Sequence, residues 1–234
     1  MTIQLDGTVV STTMRTPGND YELAVGFCHT EGMLAGVPVT GVRYCADGSA
    51  AASEFNIVTV ETAGRAPAPT PRLGTTSSSC GWCGSEQLDD MCTRLPRLPD
   101  TEPMPLELLG HVPDLVREQQ ALCDSTGGVH AAAVFDADGA IDLVREDVGR
   151  HNAVDKVIGA LLLAGGLPAT GRGLFVSGRA SVEMVQKAWA GGFSTLVAVS
   201  APTALAVDAA HRANLMLVGF VRREGFNVYA PERL

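Results

Sequence analysis

The feature that most restricts what this chain can become is a plan written twice near its C-terminus. "GLFVSGRASVEMVQKAWAGG" (173–192) runs from an apolar, β-prone stretch through a glycine turn into a segment where Val182, Val185, Ala188 and Trp189 recur at helical spacing. "STLVAVSAPTALAVDAAHRANL" (194–215) repeats the order. Strand, tight turn and helix in alternation demand a sheet with helices laid on it. Upstream, "HAAAVFDADGAIDLVRED" (130–147) reads as a hairpin turning at Asp136 to Gly139. "VGRHNAVDKVIGALLLAG" (148–165) reads as a helix with Val154, Val157, Ile158, Leu161 and Leu162 on one face. "MLVGFVRREGFNVYA" (216–230) closes the chain with strand character. The order β-β-α-β-α-β-α-β predicts a mixed sheet flanked by helices.

The first third is built differently. "TIQLDGTVVSTTMR" (2–15) places an Asp6-Gly7 turn between β-rich runs, a hairpin signal. "NDYELAVGFCHTEGML" (19–34) changes to helical period, with Asn19 or Asp20 as cap and an end near Gly32. "GVRYCADG" (41–48) and "EFNIVTVET" (54–62) read as two more strands. Two proline-rich stretches, 64–76 and 95–116, lack periodicity and read as connections. The expected class is α/β (α+β): a mainly β N-terminal subdomain (1–72), a connecting region (73–129) and a layered α/β domain with a mixed sheet (130–234).

Composition excludes several roles. With 46% hydrophobic and 18% charged residues the chain can bury a core without metal or disulfide staples. Its longest apolar run, "VIGALLLAGG" (157–166), is well short of the roughly 18 residues of a membrane span. The start, "MTIQLDGTVVSTTMRTPGND", has no signal-peptide pattern, so the cytoplasm is expected, with no membrane partner. A net charge of −9 argues against nucleic acid as partner.

Chemistry is concentrated in "TTSSSCGWCG" (75–84), where Cys80 and Cys83 stand three residues apart among glycines and small polar residues. Such a pair is half of a zinc site, but no second pair follows: Cys92 and Cys123 are isolated, and His111, His130 and His151 form no close pair. No metal site is therefore expected. Thioredoxin-like exchange wants the first thiol at a helix start behind an apolar strand, and "LGTTSSS" is no such strand. A carrier of persulfide sulfur needs a thiolate that takes a sulfur and a second displacement that releases it, and the spacing permits both. An inert glycine-rich turn also fits. Cys28 and Cys45, in apolar surroundings, read as buried hydrophobes.

Two strand-to-helix loops, "VSGRAS" (176–181) and "VSAPTA" (199–204), suit an anion at helix N-termini, and Arg179 adds a guanidinium fork. In "REDVGRHNAVDK" (145–156), Asp147 reads as a helix cap, while Arg150, His151, Asn152 and Asp155 form a polar corner that the apolar face does not require. In "GFVRREGFNVYA" (219–230), Arg222 and Arg223 beside Phe220 and Phe226 could hold a purine and its phosphates; an edge hairpin explains the pattern equally.

Taken in order, "MRTPGNDYELAVGFCHTEGML", "SSSCGWCG", "REDVGRHNAVDKVIG", "VSGRASVEMVQKA", "SAPTALAVDAA" and "LVGFVRREGFNVY" resemble the FdhD family of formate dehydrogenase accessory sulfurtransferases. The resemblance spans nearly the whole chain. It implies a carrier that receives persulfide sulfur from a cysteine desulfurase and passes it to the molybdenum (or tungsten) bis(pyranopterin guanine dinucleotide) cofactor of formate dehydrogenase. That cofactor would be bound as substrate, with none held permanently. By position Cys80 would carry the persulfide, with Cys83 as companion. Phe220, Val221, Arg222, Arg223, Glu224 and Gly225 would contact the guanine dinucleotide, supported by Arg150, His151, Gly178 and Arg179. The resemblance further implies a cytidine-deaminase-like C-terminal fold and a homodimer. The chain lacks the H-x-E and P-C-x-x-C of zinc deaminases, so zinc-activated water chemistry on a base is not expected. The other functional classes in view are a chaperone that binds the molybdenum cofactor without sulfur chemistry and a structural zinc-binding module.

Overall fold

The structure, a computed structural model, describes residues 1–45, 49–69 and 85–231. Strands β1 (Thr2–Leu5) and β2 (Thr8–Thr12) pair antiparallel around Asp6 and Gly7, whose φ values of 47° and 85° are what a two-residue hairpin turn requires. Helix α1 (Asp20–Thr30) follows, then β3 (Gly41–Tyr44) and β4 (Ile57–Glu61). The small sheet has the order β2-β1-β4-β3, with β1 and β4 parallel and both outer pairs antiparallel. Asn19 does hold the N-cap position of α1, but its side chain makes no capping bond. Asp20 turns away from the helix end, accepting from both arms of the Arg15 guanidinium (3.1 and 2.9 Å) and from the Tyr44 hydroxyl (3.2 Å).

The proline-rich stretch is more ordered than its composition suggests. Helix α2 (Ser85–Arg94) is followed by three short helices, α3 (Leu106–Leu109), α4 (Val112–Arg117) and α5 (Ala121–Thr126). Each of α2, α3 and α4 is pinned by one or two fully buried side chains: Met91, Leu109, and Val112 with Val116. Segments this short are not stable helices alone, so packing and not periodicity decides their state.

The large sheet is assembled from β5 (His130–Phe135), β6 (Ile141–Asp147), β7 (Gly173–Val176), β8 (Thr195–Ala198), β9 (Met216–Arg222) and β10 (Gly225–Ala230), in the order β10-β9-β8-β7-β5-β6. Strands β7, β8 and β9 are parallel, β5 is antiparallel to both its neighbours, and β10 is antiparallel to β9, which makes the sheet mixed. Helices α6 (Arg150–Leu163), α7 (Val182–Ala190) and α8 (Ala204–Ala213) cover one face. There Val134, Leu174, Leu196 and Leu217 meet Val157, Val185 and Ala209. Residues one step along the strands, Phe135, Phe175, Val197 and Val218, face the opposite way onto Leu109, Val112 and Val116. The period of two along each strand thus feeds two cores.

The two sheets are joined through a helix crossing. A Cβ on Gly26 of α1 would stand 1.8 Å from the Asp155 carbonyl oxygen, and one on Gly159 of α6 would stand 1.8 Å from that of Glu22, so the backbones touch only because both residues are glycine. Around the crossing, Lys187 of α7 donates to both carboxylate oxygens of Asp155 (2.8 and 2.9 Å) and to the Thr30 hydroxyl (2.9 Å), all buried. Helix α6 is consequently buried on nearly every side. Leu162, expected beside Val154 and Val157, packs instead with the small-sheet cluster, because α6 has a core on two faces and not one.

Candidate functional site at the strand ends

Strands β6, β7, β8 and β9 all finish at one edge of the large sheet, and the loops that leave them carry most of the residues singled out above. In open α/β sheets this carboxyl edge is where ligands sit. After β7 the chain passes through Ser177, Gly178 and Arg179 to Ser181, the N-cap of α7; after β8 it passes through Ser200 to Thr203, the N-cap of α8. The two loops are laced together: Ser200 N–H donates to Gly178 O (3.3 Å), Thr203 N–H to Ala180 O (3.1 Å), and Phe220 N–H to Ser200 O (3.2 Å). Thr203 closes α8 with its own side chain, accepting from Ala206 N–H (3.2 Å). Neither Gly149 nor Ser181 caps its helix with a side chain, so the N-termini of α6 and α7 open at this edge, with Glu183 in the first turn of α7.

Arg150 opens α6 and its Cδ lies 3.1 Å from the point a Gly178 Cβ would occupy; the His130 ring comes within 3.5 Å of the same point. His130 begins β5, which, like β10, runs antiparallel to the strands that finish at this edge. Its Nδ1 lies 3.2 Å from Ser177 Oγ, which also accepts from Ala131 N–H (2.9 Å). Burial first, and then the positive Arg150, lower the His130 pKa below the usual histidine value. His151, next along α6, is pushed down to about 4, by burial first and then by Lys187 and Arg150. Glu183 on α7 goes the other way for an acid: burial raises it, but the Ser181 hydroxyl, its own backbone N–H, His151 and Arg150 outweigh that and leave its pKa lowered. The corner therefore presents neutral imidazoles, a carboxylate and guanidinium groups at neutral pH.

Phe220 is 42% exposed and has φ 55°, a left-handed conformation at a residue that is not glycine. Val221 turns into the core, while Arg222, Arg223, Glu224 and Gly225 form the exposed tip of the β9–β10 hairpin. Arg179 is exposed as well. From β6 to β9 the edge spans four strand spacings, roughly 19 Å, which suits an extended ligand more than a lone phosphate. Cys80 and Cys83 lie outside the described residues.

Other polar residues of the motif 145–156 turn out to be structural. Asp147 caps no helix: it ends β6, accepts from Gly149 N–H (2.9 Å), Asn152 Nδ2 (3.0 Å) and Thr16 N–H (3.0 Å), and pairs with Lys156 (2.8 Å), with neither side chain reaching solvent. Lys156 also donates to the carbonyls of Thr16 (2.9 Å) and Glu146 (3.1 Å). Asn152 donates to Met14 O (2.7 Å). These side chains dock the 13–20 segment onto the large sheet and are fully engaged in doing so. Arg150 packs its stem against Gly178 at the strand ends, and His151 lies within electrostatic reach of Lys187 and Glu183 of α7.

His130, Ser177 and Glu183 were not among the candidates from sequence. Their relevance depends on β5 lying between β6 and β7, a strand order that no local pattern encodes. Cys28 and Cys45 are buried, as expected of small hydrophobes, and burial above all pushes the Cys28 thiol up to about 12. Among the described residues no group of three or more His, Cys, Asp or Glu could hold a metal ion. No helix among them is long and apolar enough to cross a membrane. Two shallow depressions elsewhere, about 500 Å³ on the small sheet at Arg43 and Glu61 and about 220 Å³ near Arg145 and Glu146, include none of residues 177–181, 200–203 or 220–225.

Comparison with known proteins covers the full length. The model of the FdhD/NarQ family matches residues 1–234. A protein of Streptomyces avermitilis named sulfur carrier protein FdhD is 46% identical over 238 residues, covering 98% of this chain and 84% of that protein. The Streptomyces coelicolor protein of the same name is 47% identical over 237 residues, covering 97% and 84%. That of Mycobacterium tuberculosis is 43% identical over 237 residues, covering 97% and 86%. Among solved structures, a crystal structure from Desulfotalea psychrophila, provisionally described as a formate dehydrogenase accessory protein, superposes with a TM-score of 0.77 at 24% identity, covering 100% of this chain and 87% of that one. This last likeness concerns the fold.

Proposed function

This chain belongs to the FdhD/NarQ family, and from that premise we propose that it is a cytoplasmic sulfurtransferase that carries persulfide sulfur from a cysteine desulfurase to the molybdenum bis(pyranopterin guanine dinucleotide) cofactor required by formate dehydrogenase. The cofactor is a substrate that visits the strand-end edge. What supports the reading is the chemistry of that edge: Arg150, Arg179, Arg222 and Arg223, the N-termini of α6 and α7 and the exposed Phe220 are distributed along it, in a chain whose overall charge is −9. Guanidinium groups and helix N-termini are the standard receptors of phosphate, and an exposed aromatic offers a face to a base. A ligand with phosphates and guanines at both ends has the length to use the whole edge.

The sulfur steps follow from thiol chemistry. The Cys80 thiolate attacks the terminal sulfur of the donor persulfide; that sulfur–sulfur bond breaks, a new one forms at Cys80, and the donor leaves as a thiolate with no net oxidation. For delivery, the Cys83 thiolate attacks the inner sulfur of the Cys80 persulfide. The terminal sulfur departs with the bonding pair as hydrosulfide, and a Cys80–Cys83 disulfide remains, which a cellular thiol must then reduce. The two electrons carried off by the hydrosulfide come from the paired thiols. The protein would work as a homodimer, each copy offering one strand-end edge.

The experiment is reconstitution in cells that lack the native accessory protein. Cells supplied with this chain should recover formate dehydrogenase activity, and cells supplied with Cys80→Ser should not, although the dehydrogenase accumulates with its cofactor in place. Full activity with Cys80→Ser would replace the carrier by a cofactor chaperone without sulfur chemistry.

A further inference from the structure

Deepening the reading above and resting on it, we propose that His130 is the proton-transfer residue of the strand-end edge, taking the proton from a sulfhydryl brought there while the Arg150 guanidinium holds the sulfur anion that results. The step is balanced within the site: the S–H bond breaks, the proton moves to the imidazole Nε2, the electron pair stays on sulfur and nothing is oxidised.

The geometry carries this in three parts. Ser177 Oγ accepts from Ala131 N–H at 2.9 Å and so has a fixed place; it stands 3.2 Å from His130 Nδ1. With Nδ1–H donated to that oxygen, the Nε2 lone pair is left to act as base, the same division of labour by which an oriented acceptor sets the tautomer of a catalytic imidazole. Next, Gly178 lets the two groups meet: a Cβ there would crowd the Arg150 stem (3.1 Å) and the His130 ring (3.5 Å), so a base and a cation pack side by side against its bare backbone. Finally, the carboxylate nearest in the sheet is committed elsewhere and does not bind the imidazole. Asp147, opposite His130 in strand register, is bound by Lys156, Asn152, Gly149 and Thr16.

The groups that set the charge of His130 come from several elements. Arg150 and His151 stand on α6, Glu183 on α7 beside them, Arg179 on the loop after β7, and Asp147 on β6 is neutralised by Lys156. Burial and Arg150 lower the His130 pKa below the usual histidine value, which favours the neutral imidazole. A neutral imidazole is the form that accepts a proton, and positioned bases of this kind contribute on the order of 10²- to 10⁴-fold.

The test uses full-length protein loaded with one persulfide sulfur by a cysteine desulfurase and cysteine, verified by intact mass, so that each variant starts from the same loaded state. Loaded protein is mixed with formate dehydrogenase that carries unsulfurated cofactor, and the rate at which activity appears is followed across pH. His130→Gln should transfer at roughly a hundredth of the wild-type rate. Wild-type transfer should fall off on the acid side of the ordinary histidine value, and His130→Gln should lose that acid limb. Ser177→Ala should slow transfer less and move the limb, as expected of a positioning residue, and imidazole should partly restore His130→Ala. Wild-type rates and an unchanged acid limb in both His130→Gln and Ser177→Ala would overturn the assignment. If His130→Gln fails to fold, as judged by its thermal melt, the Ser177→Ala profile decides. Wild type that takes up no sulfur at Cys80 removes the carrier reading and this one with it, whereas loaded variants that deliver normally remove only the role of His130.

Discussion

Replacing Gly26 or Gly159 by alanine separates local propensity from the geometry of the fold, because the two predict opposite signs. Both glycines lie inside helices, where alanine is favoured by about 1 kcal/mol, so propensity alone predicts a more stable protein. At the crossing, however, the added Cβ would sit 1.8 Å from a backbone oxygen of the partner helix, against about 3.4 Å for ordinary contact. Helices α1 and α6 would have to part by about 1.6 Å, and neither obstacle is a side chain that could swing away. Overpacking of this kind costs about 1–3 kcal/mol. The same displacement pulls Asp155 from Lys187 and Thr30, whose contacts are 2.8–2.9 Å, and a broken buried pair costs about 3–5 kcal/mol. After the propensity gain, each substitution should destabilise by at least about 3 kcal/mol, lowering the melting temperature by roughly 6–12 °C for a chain of this size. Urea titration and thermal melts of both single variants provide the measurement. A variant as stable as the parent, or more so, would refute the close crossing and with it the rigid coupling of the two sheets.

Further predictions follow from the buried charges and thiols. Lys187→Met should destabilise by about 3–5 kcal/mol because Asp155 is left buried without its cation, and adding Asp155→Leu should recover most of the loss; chemical denaturation of the single and double variants checks both. His151, held at about 4 in the folded protein against 6.5 as its ordinary value, favours the native state fully above pH 6.5, and that contribution, about 3 kcal/mol, is lost as the pH falls from 6.5 toward 4. Unfolding curves at pH 7 and 4.5 should show this loss in the parent and a smaller one in His151→Gln. Under native conditions at pH 8, iodoacetamide should modify Cys92 and Cys123 and leave Cys28, whose thiol is buried and raised to about 12; peptide mass mapping reads the outcome, and rapid labelling of Cys28 would contradict the described core.

Much of the fold is legible wherever a local signal is strong. The Asp6-Gly7 and Asp136 to Gly139 turns announce their hairpins, and the alternation after residue 170 announces a sheet with helices on it. Helices α2 to α5 are not legible in the same way, because they are short, interrupted by proline and held by a few side chains in a core assembled from distant strands. The motif 145–156 shows a different limit. Asp147 reads as a helix cap and Asn152 and Asp155 as part of a polar corner, yet Asp147 binds Thr16 and Lys156, Asn152 binds Met14, and Asp155 binds Lys187 and Thr30, pairs that only the tertiary structure brings together. Polarity alone does not separate those fastening residues from Arg150, which packs against Gly178 at the strand ends. His130 is illegible for a related reason: its placement depends on a strand order, and the sequence shows only a histidine before a run of alanines.

The central claim is that this chain carries sulfur on Cys80, and intact-mass measurement after incubation with a cysteine desulfurase and cysteine tests it most directly. The account predicts a gain of one or more sulfur atoms, removed by a reducing thiol, retained by Cys83→Ala and absent from Cys80→Ala. An unchanged mass for the wild type, or an equal gain in Cys80→Ala, would contradict it.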